Sequence, residues 1–187
     1  MLVLPPQQTP FRVLGIDPGT TTLGVAAVSW DMVSKHYRVG NAFTLKANDN
    51  HPGYQSIAEI HGGRISRFYQ QADELRNVFA NVQPHAVIVE SPFMGRFAQS
   101  FGALTECVLN IRQLVYEYDF TMPMFEVKPT TVKKVVGVHK NKMGDKEDVR
   151  RALRERTDII WDIDLEALDE HSVDAVAIAL YYLLVLI

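Results

Sequence analysis

At 187 residues and 47% hydrophobic, the chain fits one globular domain, long enough to bury about 70% of its unfolded surface in a single core and too short for two full-sized units. The one cysteine, Cys107, excludes an internal disulfide, and the start lacks the basic, apolar and small-residue sequence of a secretion signal, so a reducing, cytoplasmic setting is expected. A net charge of −3 and a pI near 6.1 weigh against a nucleic-acid partner, but the distribution does not: between Lys128 and Arg156 ten Lys or Arg stand against four Asp or Glu, a local +6 that leaves −9 elsewhere. That block is either a solvated helical face or a field that attracts phosphates.

Residues 1–10, with Pro5, Pro6 and Pro10, read as an irregular lead-in, because proline offers no amide hydrogen to a sheet ladder. From Phe11 the pattern becomes one of strands. Arg12 to Asp17 is a short apolar run stopped by Pro18-Gly19, and Gly24 to Trp30 and Tyr37 to Leu45 follow between turn-like residues, which predicts three consecutive antiparallel strands. Between Arg64 and Ala80, Ile65, Phe68, Tyr69, Ala72, Leu75 and Phe79 recur at helical spacing. Pro84 resets the chain. Ala86 to Val89 is continuously apolar, as a strand buried on both faces should be, and Glu90 closes it.

Phe97 to Tyr118 reads as a long helix, Met124 to Val127 as a short strand, and Asp145 to Arg156 and His171 to Leu186 as further helices. The longest apolar stretch, Ala175 to Ile187, is shorter than the roughly 20 residues that span a bilayer, so a buried helix and no membrane segment is expected. Three strands in a row followed by alternating helix and strand predict an α/β domain over residues 11–187, with a mixed five-stranded sheet flanked by helices.

Three places could carry chemistry. Gly15-Ile16-Asp17-Pro18-Gly19-Thr20-Thr21-Thr22-Leu23-Gly24 projects a carboxylate beyond a strand end, where a tight turn admits another backbone. Asp17 could instead cap that turn, and the same pattern resembles the first phosphate loop of the sugar kinase, actin and Hsp70 group. Glu90 ends a strand too apolar to hold it in the middle, either as an ordinary terminator or as a site residue. His171 and Asp174, three residues apart, share one face at the head of an apolar helix, where an acidic residue also suits the helix dipole. If the strands lie side by side these groups converge, and an oxygen-rich cluster of this kind suits Mg²⁺ or Mn²⁺.

The combination resembles the RuvC family of Holliday-junction resolvases. The likeness runs from Phe11 to Leu180 and rests on the glycine-rich aspartate strand, Glu90 followed three residues later by Phe93, the Val132-Lys133-Lys134-Val135-Val136-Gly137 segment, and the closing helix with Asp174-Ala175. It implies an RNase H-like fold, a symmetric homodimer, four-way or branched DNA as substrate, and four metal-binding positions at Asp17, Glu90, His171 and Asp174. Glu170 and Asp169 stand in if the register slips by one. The resemblance further implies basic residues near the scissile phosphate at Lys133 and Lys146, with Lys134 a competitor of Lys133, and an aromatic, Phe93, that stacks on bases or alternatively fills a core or dimer contact. The full DNA-contacting set expected is Phe93, Arg96, Lys128, Lys133, Lys134, Lys140, Lys142 and Lys146.

The chain departs from the family pattern at Phe101-Gly102-Ala103-Leu104-Thr105-Glu106-Cys107, where the family carries a Gly-Gln-Ala-Arg-Gly-like stretch on a helix of its dimer interface. Such divergence is compatible with a viral or phage member. The implied chemistry is hydrolysis with two Mg²⁺ ions, Mn²⁺ substituting, and no nucleotide cofactor, leaving 5′-phosphate and 3′-hydroxyl ends. The sugar kinase reading needs a second domain and a longer chain. A catalytically silent DNA-binding module would not need the full acidic set, and an RNA- or hybrid-directed nuclease is the nearest rival, including the short resolvase-like proteins of ribosomal RNA processing.

Overall fold

The computed structural model describes residues 10–94, 98–138 and 147–185, so all but the last residue of the proline-rich lead-in, as well as Arg96, Lys140, Lys142 and Lys146, lies outside the described residues. In chain order the elements are β1 (Phe11–Asp17), β2 (Thr22–Trp30), β3 (Tyr37–Lys46), α1 (Gln55–His61), α2 (Gly63–Val82), β4 (Ala86–Glu90), α3 (Ala98–Tyr118), β5 (Met124–Val127), α4 (Pro129–Val135), α5 (Glu147–Arg154), β6 (Ile159–Trp161) and α6 (Glu170–Val185). No helix among the described residues is long and apolar enough to cross a membrane.

The sheet has the order β5-β4-β1-β2-β3-β6. β1, β2 and β3 form the antiparallel meander that the sequence predicts, while β4 joins β1 and β5 joins β4 in parallel. The sheet therefore has six strands where five were expected. The sixth, β6, is three residues long and pairs in parallel with the outer edge of β3. A segment that short carries no readable alternation, and it becomes a strand only because the free edge of β3 offers unpaired amides and carbonyls. α1 also escapes the sequence reading, since it buries no residue and so has no apolar stripe.

Alternation along β1 sends side chains into two separate cores. Phe11 and Val13 join Ala26, Val28 and Ile88 under α6, whereas Leu14 and Ile16 join Val25, Val87 and Val89 under α2 and α3. With helices on both faces, the central strands are buried throughout, which explains the unbroken apolar run of β4. α6 lies unusually close to the sheet. A Cβ placed on Gly15 would collide with the carbonyl oxygen of Ala175, and one on Gly24 with that of His171, so these two glycines and the alanines of α6 set the depth at which the helix rests.

Candidate active site

The parallel pairing of β1 with β4 places Ile16 beside Val89, so the residues that follow, Asp17 and Glu90, emerge side by side from one edge of the sheet. Asp17 is also paired across β2 with Gly24, the residue on which the His171 carbonyl packs. Strand register and helix depth together therefore bring the first turn of α6 over the end of β1. Asp17 Oδ2 lies 2.7 Å from His171 Nδ1, and the other ring nitrogen, Nε2, lies 3.1 Å from Thr22 Oγ1. Asp174 follows one turn along α6 on the same face.

The electrostatics tie the four together. Burial, reinforced by the charges of Asp17 and Asp174, pushes the Glu90 carboxyl up to about 7, with Lys133 acting in the opposite sense. Burial and Asp17 likewise push Asp174 up to about 6, again opposed by Lys133. Asp17 is raised by burial against the pull of its His171 hydrogen bond. His171 is itself raised: burial disfavours its charge, but the Asp17 hydrogen bond and the nearby carboxylates outweigh that. Lys133, on α4, is the lysine whose charge acts on Glu90 and Asp174, which its neighbour Lys134 does not match.

Whether these residues suit a divalent cation turns on their unmet needs. Neither Glu90 nor Asp174 has a side-chain hydrogen bond or salt bridge among the described residues, yet both are half-buried. Buried carboxylates left in that state hold a proton or take a cation. The donors are three carboxylates and an imidazole, a set that suits Mg²⁺ or Mn²⁺. They do not form a finished cage: among the described residues no three ligand-type side chains are drawn together tightly enough to hold an ion as they stand.

Asp169, the alternative ligand, has one carboxylate oxygen engaged by bonds of its own. Against the burial that raises it, three contacts hold its carboxyl below the usual range: Oδ1 accepts from Ser172 N at 2.9 Å, Ser172 Oγ at 2.7 Å and Thr44 Oγ1 at 2.6 Å. Those bonds cap α6 and tie it to β3. Phe93 and Met94, in the loop after β4, are 73% and 64% exposed, which removes the core reading of Phe93.

The basic block is smaller than the sequence suggests. Arg150 pairs with Glu147 and donates to the carbonyls of Leu165 and Leu168, Arg151 pairs with Asp148, Arg154 with Glu166, and Arg156 grips both oxygens of Asp158. Arg150 and Arg154 brace α5 against the segment after β6, while Arg151 and Arg156 are paired locally. Of the lysines, Lys128, Lys133 and Lys134 are exposed beside α4.

Three further residues that sequence reasoning overlooks hold the turn after Asp17. Arg67 Nε donates to the Thr20 carbonyl at 2.8 Å, Gln71 Nε2 donates to the Gly19 carbonyl at 2.9 Å, and the buried Cys107 thiol approaches the same oxygen at 3.7 Å. A signal existed: Gln70 and Gln71 fall inside the apolar register of α2, and both are buried.

No protein-family model matches the chain. A crossover junction endodeoxyribonuclease RuvC from Chloroflexus aggregans is 32% identical over 127 residues, covering 67% of this chain and 68% of the relative, and one from a Sulfurovum species is 30% identical over 128 residues, covering 67% and 69%. Among solved structures, T. thermophilus RuvC in complex with a Holliday junction substrate superposes with a TM-score of 0.71 at 23% identity, covering 93% of each chain, which establishes the RNase H-like fold. On the strength of these relatives and of a shared fold along nearly its whole length, the chain belongs to the family of RuvC crossover junction endodeoxyribonucleases.

Proposed function

We propose that this protein resolves four-way and related branched DNA junctions by metal-dependent hydrolysis of phosphodiester bonds, with Asp17, Glu90, His171 and Asp174 as metal ligands. The observation that carries the reading is the convergence of three half-buried carboxylates, Asp17 and Glu90 from adjacent parallel strands and Asp174 from the first turns of α6, with His171 bonded to Asp17. Divalent cations, two Mg²⁺ ions or Mn²⁺ in their place, would supply an activated water and stabilise the leaving 3′-oxygen. Asp17, at the centre of the group, holds His171 through Nδ1 in the metal-free site, and His171 serves as ligand, once that contact is released, or as proton acceptor. Lys133 neutralises the phosphate as charge builds on it, a part shared with Lys146. Lys128, Lys134, Lys140, Lys142 and Arg96 hold the flanking backbone. Phe93, exposed beside Glu90, stacks on a base near the junction centre.

A homodimer completes the proposal, because two symmetric sites suit a two-fold junction. Support comes from α3, whose outer face exposes Leu109 (59%) and Tyr116 (49%) despite the divergent stretch at Phe101 to Cys107. The test is incubation with a labelled four-way junction, a linear duplex of the same sequence and an RNA–DNA hybrid, each with Mg²⁺ or EDTA. Paired nicks on the junction alone, lost in EDTA, are expected. Preferential cutting of the hybrid, or junction binding with no cutting under any metal, would overturn the proposal.

A further inference from the structure

Resting on the metal-ligand reading of His171, we propose that Thr22 is a positioning residue for the metal site, one whose hydroxyl lets the His171 ring exchange its Asp17 contact for a cation. The ring is held at both nitrogens, Nδ1 by Asp17 Oδ2 at 2.7 Å and Nε2 by Thr22 Oγ1 at 3.1 Å. Of the run Thr20-Thr21-Thr22, only Thr22 has its hydroxyl on the ring among the described residues. Its backbone is fixed as the first paired residue of β2, opposite Lys46, and the adjoining Ala47 amide donates to the Thr21 carbonyl at 2.9 Å. The sheet therefore fixes the Cα and Cβ of Thr22 beside the ring, within reach of its hydroxyl.

A neutral imidazole carries one N–H and one lone pair. Facing an ionised Asp17, which only accepts, Nδ1 carries the hydrogen and donates it, so Nε2 presents its lone pair and Thr22 donates to it. When Nδ1 gives its lone pair to a cation, the hydrogen must reside on Nε2, and Thr22 must now accept. A hydroxyl serves both states by rotating about one bond. A carboxylate or a carbonyl would serve only the second, and a methyl group neither. Partners to the remote N–H of a ligating histidine fix the ring's orientation and tautomer and are worth about 10- to 100-fold in metal affinity.

Thr22→Val keeps the β-branched shape and the strand while removing the hydroxyl, and Thr22→Ser restores a hydroxyl. Mn²⁺ affinity would be measured by electron paramagnetic resonance for wild type, Thr22→Val, Thr22→Ser and Asp17→Asn, alongside ¹⁵N spectra of the His171 ring during titration with Mg²⁺, the signals being assigned by their loss in His171→Asn. Thr22→Val should bind Mn²⁺ about 10-fold or more weakly, with Thr22→Ser recovering most of the loss. In wild type, Mg²⁺ should move the ring hydrogen from Nδ1 to Nε2. Mn²⁺ binding weakened in Asp17→Asn but unchanged in Thr22→Val would overturn the role of Thr22 and leave the metal site standing. Equal binding by wild type and Asp17→Asn would overturn the metal-site reading and the role of Thr22 together.

Discussion

At the ends of β1 and β4 and in the first turns of α6, three half-buried carboxylates face one another, and two of them have no hydrogen bond or salt bridge among the described residues. Along α5 and β6, in contrast, arginines and carboxylates are matched pair by pair, and Arg150 in addition closes two backbone carbonyls. Both regions are rich in charge, but only the first leaves its charge uncompensated in a low-dielectric setting. Folding alone would favour the arrangement of the second, because an unpaired buried carboxylate costs stability. On the proposed reading a metal ion supplies the missing positive charge, and the contrast then separates groups kept for chemistry from groups kept for structure.

The sharpest way to break that contrast is Asp17→Asn. Junction cleavage should fall on the order of 10³-fold or more while junction binding, measured in EDTA, stays within about threefold, since the change removes a ligand without adding bulk. Near-normal cleavage by the purified variant would show that the crowded carboxylates are structural after all. Gly24→Ala probes the same site through its scaffold. The new Cβ would meet the His171 carbonyl, forcing α6 off the sheet, and a loss of about 3 kcal/mol in denaturant unfolding is expected. An unchanged midpoint would mean that helix depth does not fix the position of His171.

Glu90→Gln should act in opposite directions on stability and activity. A carboxyl whose proton affinity is higher folded than unfolded makes the folded state bind more protons between the two pKa values, so stability falls as pH rises through that window. For Glu90 the window runs from the ordinary 4.5 to about 7. The raised His171 acts with the same sign, its contribution being present below 6.5 and lost as pH rises through its folded value. Metal-free protein should therefore lose stability between pH 5 and pH 8 and regain it with Mg²⁺. Glu90→Gln should gain about 2 kcal/mol at pH 8, a figure reduced for partial solvent access, while losing cleavage. A thermal midpoint insensitive to pH in both proteins would remove the case for an uncompensated cluster.

Much of this site is legible in the sequence because its members break local patterns. Asp17 and Glu90 end runs too apolar to carry a charge, and His171 and Asp174 interrupt the head of an apolar helix. What joins them is not local. The parallel register of β1 with β4 spans a long excursion of chain, and the depth of α6 depends on the coincidence of Gly15 and Gly24 with its small residues. The role of Thr22 is invisible for a related reason, since three threonines in succession look alike until the sheet selects one. β6 is a strand by virtue of its neighbour. The pairings of Arg150 with Glu147 and of Arg151 with Asp148 were readable from their spacing of three on a helix, but that of Arg154 with Glu166 depends on how the chain returns past the sheet.

Arg154→Ala carries the smallest expected effect and tests the paired side of the contrast directly. Its guanidinium and the Glu166 carboxylate are both about half exposed, 2.6 Å apart at the contact, and an exposed pair of this kind contributes roughly 0–1 kcal/mol. Unfolding should therefore shift by less than about 0.5 kcal/mol. The more telling measurement is the salt dependence of junction binding. Each cation that neutralises a DNA phosphate adds close to one to the slope of log affinity against log salt. If Arg154 is committed to Glu166, the slope in Arg154→Ala should equal that of wild type, whereas Lys134→Ala should reduce it by about 0.9. A reduced slope in Arg154→Ala would mean that the arginine leaves its partner for the phosphate backbone, and the matched flank would then belong to the DNA-binding surface as well as to the fold.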